Sequence, residues 1–192
     1  MEKALEQWGK LWEEFYNKFT SLTTIHRIAI AVLFTVLTAL SAQIYLPLPF
    51  TPVPITGQVF TVLLCGILLG KNIGALSQIM YFTGGAIGIN WFSATSAGII
   101  RPTTGYIVGF ILAAYIVGLI TEKNRTRISI IYGMLASIAV LHLCGILWLI
   151  CLLRISFYKA FLIGTVPFIP FDIIKAYFAG IIGNSMLKRK SR

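Results

Sequence analysis

The sequence predicts an all-α membrane protein with six transmembrane helices, both termini cytoplasmic, and an N-terminal amphipathic helix. Three observations carry this. Of 192 residues, 57% are hydrophobic and only 11% charged, against about 25% charged in a typical soluble domain, and the mean hydropathy is +0.85. The apolar residues fall in runs suited to crossing a hydrocarbon core of about 30 Å. The basic residues behind the net charge of +10 lie in short clusters between those runs, a pattern that sets membrane orientation rather than a nucleic-acid patch.

Taken in order, residues 1–22 read as an interfacial helix separate from the 23–192 membrane domain. Leu5, Trp8, Trp12, Phe15, Phe19 and Leu22 recur at helical spacing with charges opposite, and tryptophans on such a stripe suit the headgroup region. No signal-peptide pattern is visible there. Span one covers Arg27 to Leu46. Its small residues Ala31, Thr35 and Ala39 repeat at i, i+4 and i+8, which lets another helix approach closely; composition alone favours packing within the chain. The segment 47–58, PLPFTPVPITGQ, carries four prolines. Proline interrupts helix, and irregular backbone at membrane depth must be buried or face a wet cavity. It therefore belongs at the outer rim or lines a pocket, with Gln58 opening the next span.

Spans two and three run 55–70 and 72–88 around a tight Gly-Lys-Asn turn. Span four is 104–121, followed by a basic loop, EKNRTR. Span five is 128–153, 154–167 is an outer loop, and span six is 168–187. With both termini inside, the cytoplasmic side receives Lys3, Lys10, Lys18, Arg27, Lys71, Lys123, Arg125, Arg127, Lys188, Arg189, Lys190 and Arg192. The outside receives Arg101, Arg154 and Lys159, and Lys175 lies within span six. A ratio of 12 to 3 fits the positive-inside rule and requires an even number of spans. The expected location is a bacterial inner membrane, as a multi-pass protein.

This orientation gathers the chemistry on the outer face. The stretch 81–106, YFTGGAIGINWFSATSAGIIRPTTGY, is Gly-rich, polar and aromatic amid apolar spans. It reads as a loop roofing a small-molecule pocket. It contains Arg101, the only charge between Lys71 and Glu122. Asp172 is the one acid outside residues 1–22 besides Glu122, and Lys175 follows it by one turn. An ionisable residue in a span is costly and marks function by default, although Asp172 and Lys175 pairing with each other is an equally weighted structural reading. Arg101 is then read as an unpartnered cation that a ligand carboxylate would balance, since its fork binds both oxygens. Asp172 would accept hydrogen bonds from ligand N–H groups, and Asn90 would supply an amide. Tyr81, Trp91, Phe92 and Tyr106 would wall an apolar ring. Each aromatic alone is more often packing.

The remaining residues read as structural. His142 has no acid near it in sequence and is taken for a packing residue; His26 is interfacial. Cys65, Cys144 and Cys151 form no CxxC and are taken for small core residues. No Walker, HExxH or GxSxG motif is present, so neither ATP hydrolysis nor a cofactor is expected.

Five stretches resemble one family in chain order: PFTPVPITGQVF (49–60), LLGKNIGALS (68–77), YFTGGAIG (81–88), RPTTGYIVGFILAAYIVG (101–118) and PFIPFDIIKA (167–176). This chain is similar to the biotin-binding BioY family, substrate-specific S components of energy-coupling factor (ECF) transporters. The resemblance implies six helices that bind biotin from outside. It implies docking through span one, at Ala31, Thr35 and Ala39, onto a transmembrane coupling subunit driven by two ATPases. It assigns substrate binding to Arg101, Asp172 and Lys175, with Asn90 a looser match and Gln58, Tyr81, Trp91 and Tyr106 as pocket candidates. INWF at 89–92, Thr104 and Phe171 depart from the family's usual residues. The alternatives are a solitary biotin carrier that needs no ATPase and an intramembrane enzyme using Asp172 and His142.

Overall fold

The structure is a computed structural model that describes residues 23–92, 100–123 and 126–186. The amphipathic helix expected in 1–22 lies outside them. Among the described residues there are six helices and one hairpin: α1 Thr24–Gln43, β1 Tyr45–Leu48, β2 Thr51–Thr56, α2 Gln58–Ala86, α3 Thr104–Lys123, α4 Arg127–Leu153, α5 Phe157–Gly164 and α6 Ile169–Met186. Four of these, α1 to α4, are long and apolar enough to cross a membrane. The α5–α6 pair, bent by 52° at its break, makes a fifth candidate span.

α2 is not one straight rod. Gly70 leaves helical geometry with φ 78° and ψ 178°, a conformation open to glycine and costly for other residues. The chain folds back there. Gln58 Nε2 lies 2.7 Å from Tyr81 Oη although the two are 23 residues apart, a separation that continuous helix would stretch to about 35 Å. A Cβ on Gly74 would sit 3.0 Å from the Gly66 Cα, so the two limbs touch through glycines. Glu122 fastens the turn: Lys71 N–H donates to its Oε1 at 2.9 Å, and Lys71 Nζ lies 3.6 Å from its Oε2. The reversal falls at the Gly-Lys-Asn turn expected from the sequence.

The purely helical expectation is corrected at 45–56. β1 and β2 pair antiparallel, Tyr45 opposite Thr56 and Leu48 opposite Thr51, with an irregularity between Leu46 and Leu48. TPVPIT alternates: Thr51, Val53 and Ile55 are buried, while Pro52 and Pro54 take the other face. Proline cannot donate to a ladder and is confined to edges and bulges, and both conditions hold in a two-stranded ribbon. The expected 154–167 loop is also corrected, since α5 occupies most of it, with Ser156 Oγ accepting from Lys159 N–H at its N-cap.

Along α1, Ala31, Thr35, Thr38, Ala39 and Ala42 are buried. Thr35 Oγ1 donates to Ser77 O of α2 at 2.8 Å, and Gln78 Nε2 donates to Thr38 Oγ1 at 3.3 Å. Val32, Leu33, Val36, Leu37 and Leu40 are exposed. Ala31, Thr35 and Ala39, the small-residue stripe, thus face the rest of the chain, where short side chains allow α1 and α2 to close on each other. Of the cysteines expected in the core, only Cys65 is buried; Cys144 is half-buried and Cys151 exposed.

Candidate functional site

A cleft of about 440 Å³, its open mouth included, lies between β2, α2, α3, α4 and α6. Its walls are mostly apolar, including Val53, Ile107, Phe110 and Phe168, and two threonines, Gln58, Tyr106, His142, Asp172 and Lys175 supply its polar groups. The proline-rich segment supplies Val53, Pro54 and Thr56, so its expected place against a pocket is where it is found.

Asp172 is the centre of this set and is only 2% exposed. It stands in the first turn of α6, where the helix dipole favours an anion. Each carboxylate oxygen has its own partner. Lys175 Nζ donates to Oδ1 at 2.9 Å, and His142 Nε2 lies 2.9 Å from Oδ2. The Asp172–Lys175 pairing was one of the two sequence readings. His142, expected to be a packing residue, is a direct partner of the acid. Thirty residues of sequence and a change of helix separate the two, so no local spacing could announce the contact. Only the chemistry, a buried histidine and a lone buried acid in one small apolar chain, hinted at it.

Tyr106 is seated by glycines. A Cβ on Gly145 would overlap its ring and one on Gly164 would meet its hydroxyl, and Tyr106 Oη donates to the Gly164 carbonyl. Its ring meets that of His142 edge-on at 6.0 Å.

The other expected residues form a second group that does not line the cleft. Tyr81, fully buried, is its hub. Tyr81 Oη accepts from Gln58 and donates to Trp91 O at 3.4 Å, while Trp91 Nε1 donates back to Tyr81 O at 3.0 Å. The Trp91 ring stacks on Tyr81 at 5.7 Å and Phe92 meets it edge-on at 5.2 Å. Gly84 and Gly85 make room: a Cβ on either would overlap Trp91 or Phe92 respectively. Gln43, the last residue of α1, donates to Trp91 O at 3.2 Å. Arg101 is buried with its guanidinium carbon 5.6 Å from the Phe92 ring centroid, and Trp148 Nε1 donates to its carbonyl at 2.6 Å. Arg101 has further interactions within the chain, so the reading of it as an unpartnered cation is corrected. Asn90 is exposed and apart from the cleft lining.

The expected site thus divides. Gln58, Tyr106, Asp172 and Lys175 meet in the cleft, joined by His142. Tyr81 and Arg101 gather against Trp91 and Phe92 of the 87–92 segment, and the Gln58–Tyr81 hydrogen bond connects the two groups. Chemically, the cleft offers a fixed carboxylate acceptor, an ammonium and an apolar trough. Among the described residues no group of three or more metal-ligating side chains occurs.

Known proteins share this architecture. A family model described as the BioY family matches residues 16–192. A probable biotin transporter BioY of Pyrococcus horikoshii is 41% identical over 162 residues, spanning 83% of this chain and 94% of that one. The biotin transporter BioY of Thermotoga maritima is 37% identical over 166 residues, spanning 82% and 94%. In three dimensions the chain is similar to the S-component for biotin from an ECF-type ABC transporter, seen in a crystal structure. The TM-score is 0.78 with 22% identity, covering 89% of this chain and 97% of that one.

Proposed function

This chain belongs to the BioY family, and from that premise we propose that it is the biotin-capturing S component of an ECF transporter. It is a multi-pass membrane protein and a biotin transporter, not an enzyme. In the proposed arrangement the chain crosses six times, counting each limb of α2 and the bent α5–α6 pair as crossings, with both termini in the cytoplasm of a cell whose inner membrane holds it. Biotin enters from outside and is released inward with the help of a transmembrane coupling subunit and two ATPases. No nucleic acid is involved.

The observation that carries this reading is the Asp172 carboxylate, buried in an apolar cleft yet clamped at both oxygens by Lys175 and His142. A carboxylate so held cannot swing away and presents its remaining lone pairs in one direction. Those lone pairs suit the N–H groups of biotin's ureido ring, and Lys175 suits its carbonyl. The fused ring would lie against Tyr106 and Phe168. Gln58 and Tyr81 would mark the path of the acyl tail toward Arg101, whose guanidinium would meet the tail carboxylate, with Asn90 and Trp91 closing over it.

The test is biotin binding to the purified protein in detergent. Asp172→Asn removes the charge while keeping the shape. It should weaken binding by about 2–5 kcal/mol, at least about 30-fold in Kd. Affinity equal to that of the unaltered protein would remove Asp172 from the site.

A further inference from the structure

α6 meets the rest of the chain along one narrow edge. Asp172, Ala176, Ala179 and Gly183 are buried, whereas Phe171, Ile173, Ile174, Tyr177 and Phe178 are exposed. An edge of short side chains permits close approach, but it interdigitates little and leaves few bulky contacts to fix the rotation and tilt of the helix. Lys175 adds no restraint, because its bond to Asp172 lies within the same helix. The placement of the Asp172 carboxylate therefore depends on what holds the start of α6. His142 meets the carboxylate from α4. A second hold stands at the break before the helix.

α5 and α6 are bent by 52° at that break. Gly164 closes α5, and its carbonyl accepts the hydroxyl of Tyr106 from α3. A carbonyl can only accept, so the hydroxyl proton is committed to it. From there a run of backbone hydrogen bonds leads to the acid. Thr165 N–H donates to Phe161 O at 3.0 Å, Phe168 N–H to Thr165 O at 2.9 Å, and Asp172 N–H to Phe168 O at 2.9 Å. Gly164 has no room for a side chain, since a Cβ there would lie 2.5 Å from the Tyr106 hydroxyl and 2.7 Å from Leu149 Cδ1. We propose that Tyr106 is a positioning residue for the binding site: its hydroxyl pins the α5–α6 elbow at Gly164 and so sets where Asp172 stands, while its ring alone faces the ligand.

The binding arm of the test rests on the biotin reading; the exchange arm does not. Tyr106→Phe keeps the ring and removes the pin. In hydrogen–deuterium exchange of the purified protein without ligand, the amides of residues 165–172 should exchange about 2- to 10-fold faster in this variant, the net worth of one hydrogen bond. Amides of α1 should exchange as in the parent. Unchanged exchange at 165–172 would overturn the pin, and so would an equal rise throughout the chain, which marks general destabilisation. In the second arm, Tyr106→Phe should weaken biotin binding by about 2- to 10-fold in Kd. In an Asp172→Asn background the same change should cost less than about twofold. Equal losses in both backgrounds would mean that the hydroxyl does not act through the acid. Gly164→Ala attacks the contact from its other end. It should weaken binding in the parent and much less in Tyr106→Phe, where the added Cβ lies 3.9 Å from the ring carbon Cζ once the hydroxyl is gone; the same cost in both would uncouple the two residues and sink the proposal. Failure of the unaltered protein to bind biotin would instead count against the assigned substrate, and the exchange rates would still decide whether Tyr106 holds the elbow.

Discussion

At the residue scale, the molecule uses glycine to admit aromatics. Gly145 and Gly164 seat Tyr106, and Gly84 and Gly85 seat Trp91 and Phe92. The consequence is testable at Gly85. A methyl there would overlap the Phe92 ring, and that ring borders both Tyr81 and Arg101. Overpacking of this kind costs about 1–3 kcal/mol. Gly85→Ala should therefore lower the melting temperature in detergent and weaken biotin binding together. Gly88→Ala serves as a contrast in space, since nothing lies within 4 Å of its added Cβ, although its φ of 106° carries a backbone cost of its own. If Gly85→Ala matches the parent in both measurements, the aromatic group does not hold the 87–92 segment. The YFTGGAIG stretch announced small residues beside aromatics, but the sequence left open which ring each glycine served. That depends on a chain reversal, not on spacing.

At the scale of elements, the legible parts were those with local causes. The turn at Gly70 was readable because a glycine followed by Lys-Asn interrupts an apolar run. The bounds of α3 and α4 followed the ends of apolar runs and the basic residues between them. The β-ribbon was less so: four prolines argue against helix, but the alternation in TPVPIT had to be weighed against them. α5 was hidden because Ser156 as an N-cap resembles any loop serine. The α1 stripe was ambiguous in principle, since close approach of two helices looks the same whether the second helix belongs to the chain or to a partner. The structure turns Ala31 fully inward and bonds Thr35 to Ser77. Ala31→Trp should therefore damage the α1–α2 contact itself, by at least about 1–3 kcal/mol, and lower both melting temperature and biotin binding. Val36→Trp, on the exposed face of the same helix, should leave both unchanged. A stable, biotin-binding Ala31→Trp protein that fails only in uptake would reverse this and restore the stripe to a partner.

At the scale of the whole molecule, α2 decides how many times the chain crosses. Its limbs contact each other along their length, from Gly66–Gly74 near the turn to Gln58–Tyr81 at the open end. If both limbs traverse the bilayer, Asn72 and Ile89 lie on opposite sides. The charge pattern then puts Asn72 inside with Lys71, Lys123 and Arg127, and Ile89 outside with Arg154 and Lys159. All three cysteines can be replaced without touching the cleft lining, and single cysteines can be placed at Asn72, Ile89, Arg127 and Tyr158, all exposed in the structure. A membrane-impermeant maleimide added to intact cells should label Ile89→Cys and Tyr158→Cys at once. It should label Asn72→Cys and Arg127→Cys only after permeabilisation. Labelling of Asn72 and Ile89 from the same side would make α2 a re-entrant hairpin and leave α1, α3, α4 and the α5–α6 pair as the crossings. The Asp172 cleft would then need a different route of entry, because Gln58 and Tyr81 at the open end of that hairpin are what join it to the loop proposed to admit biotin.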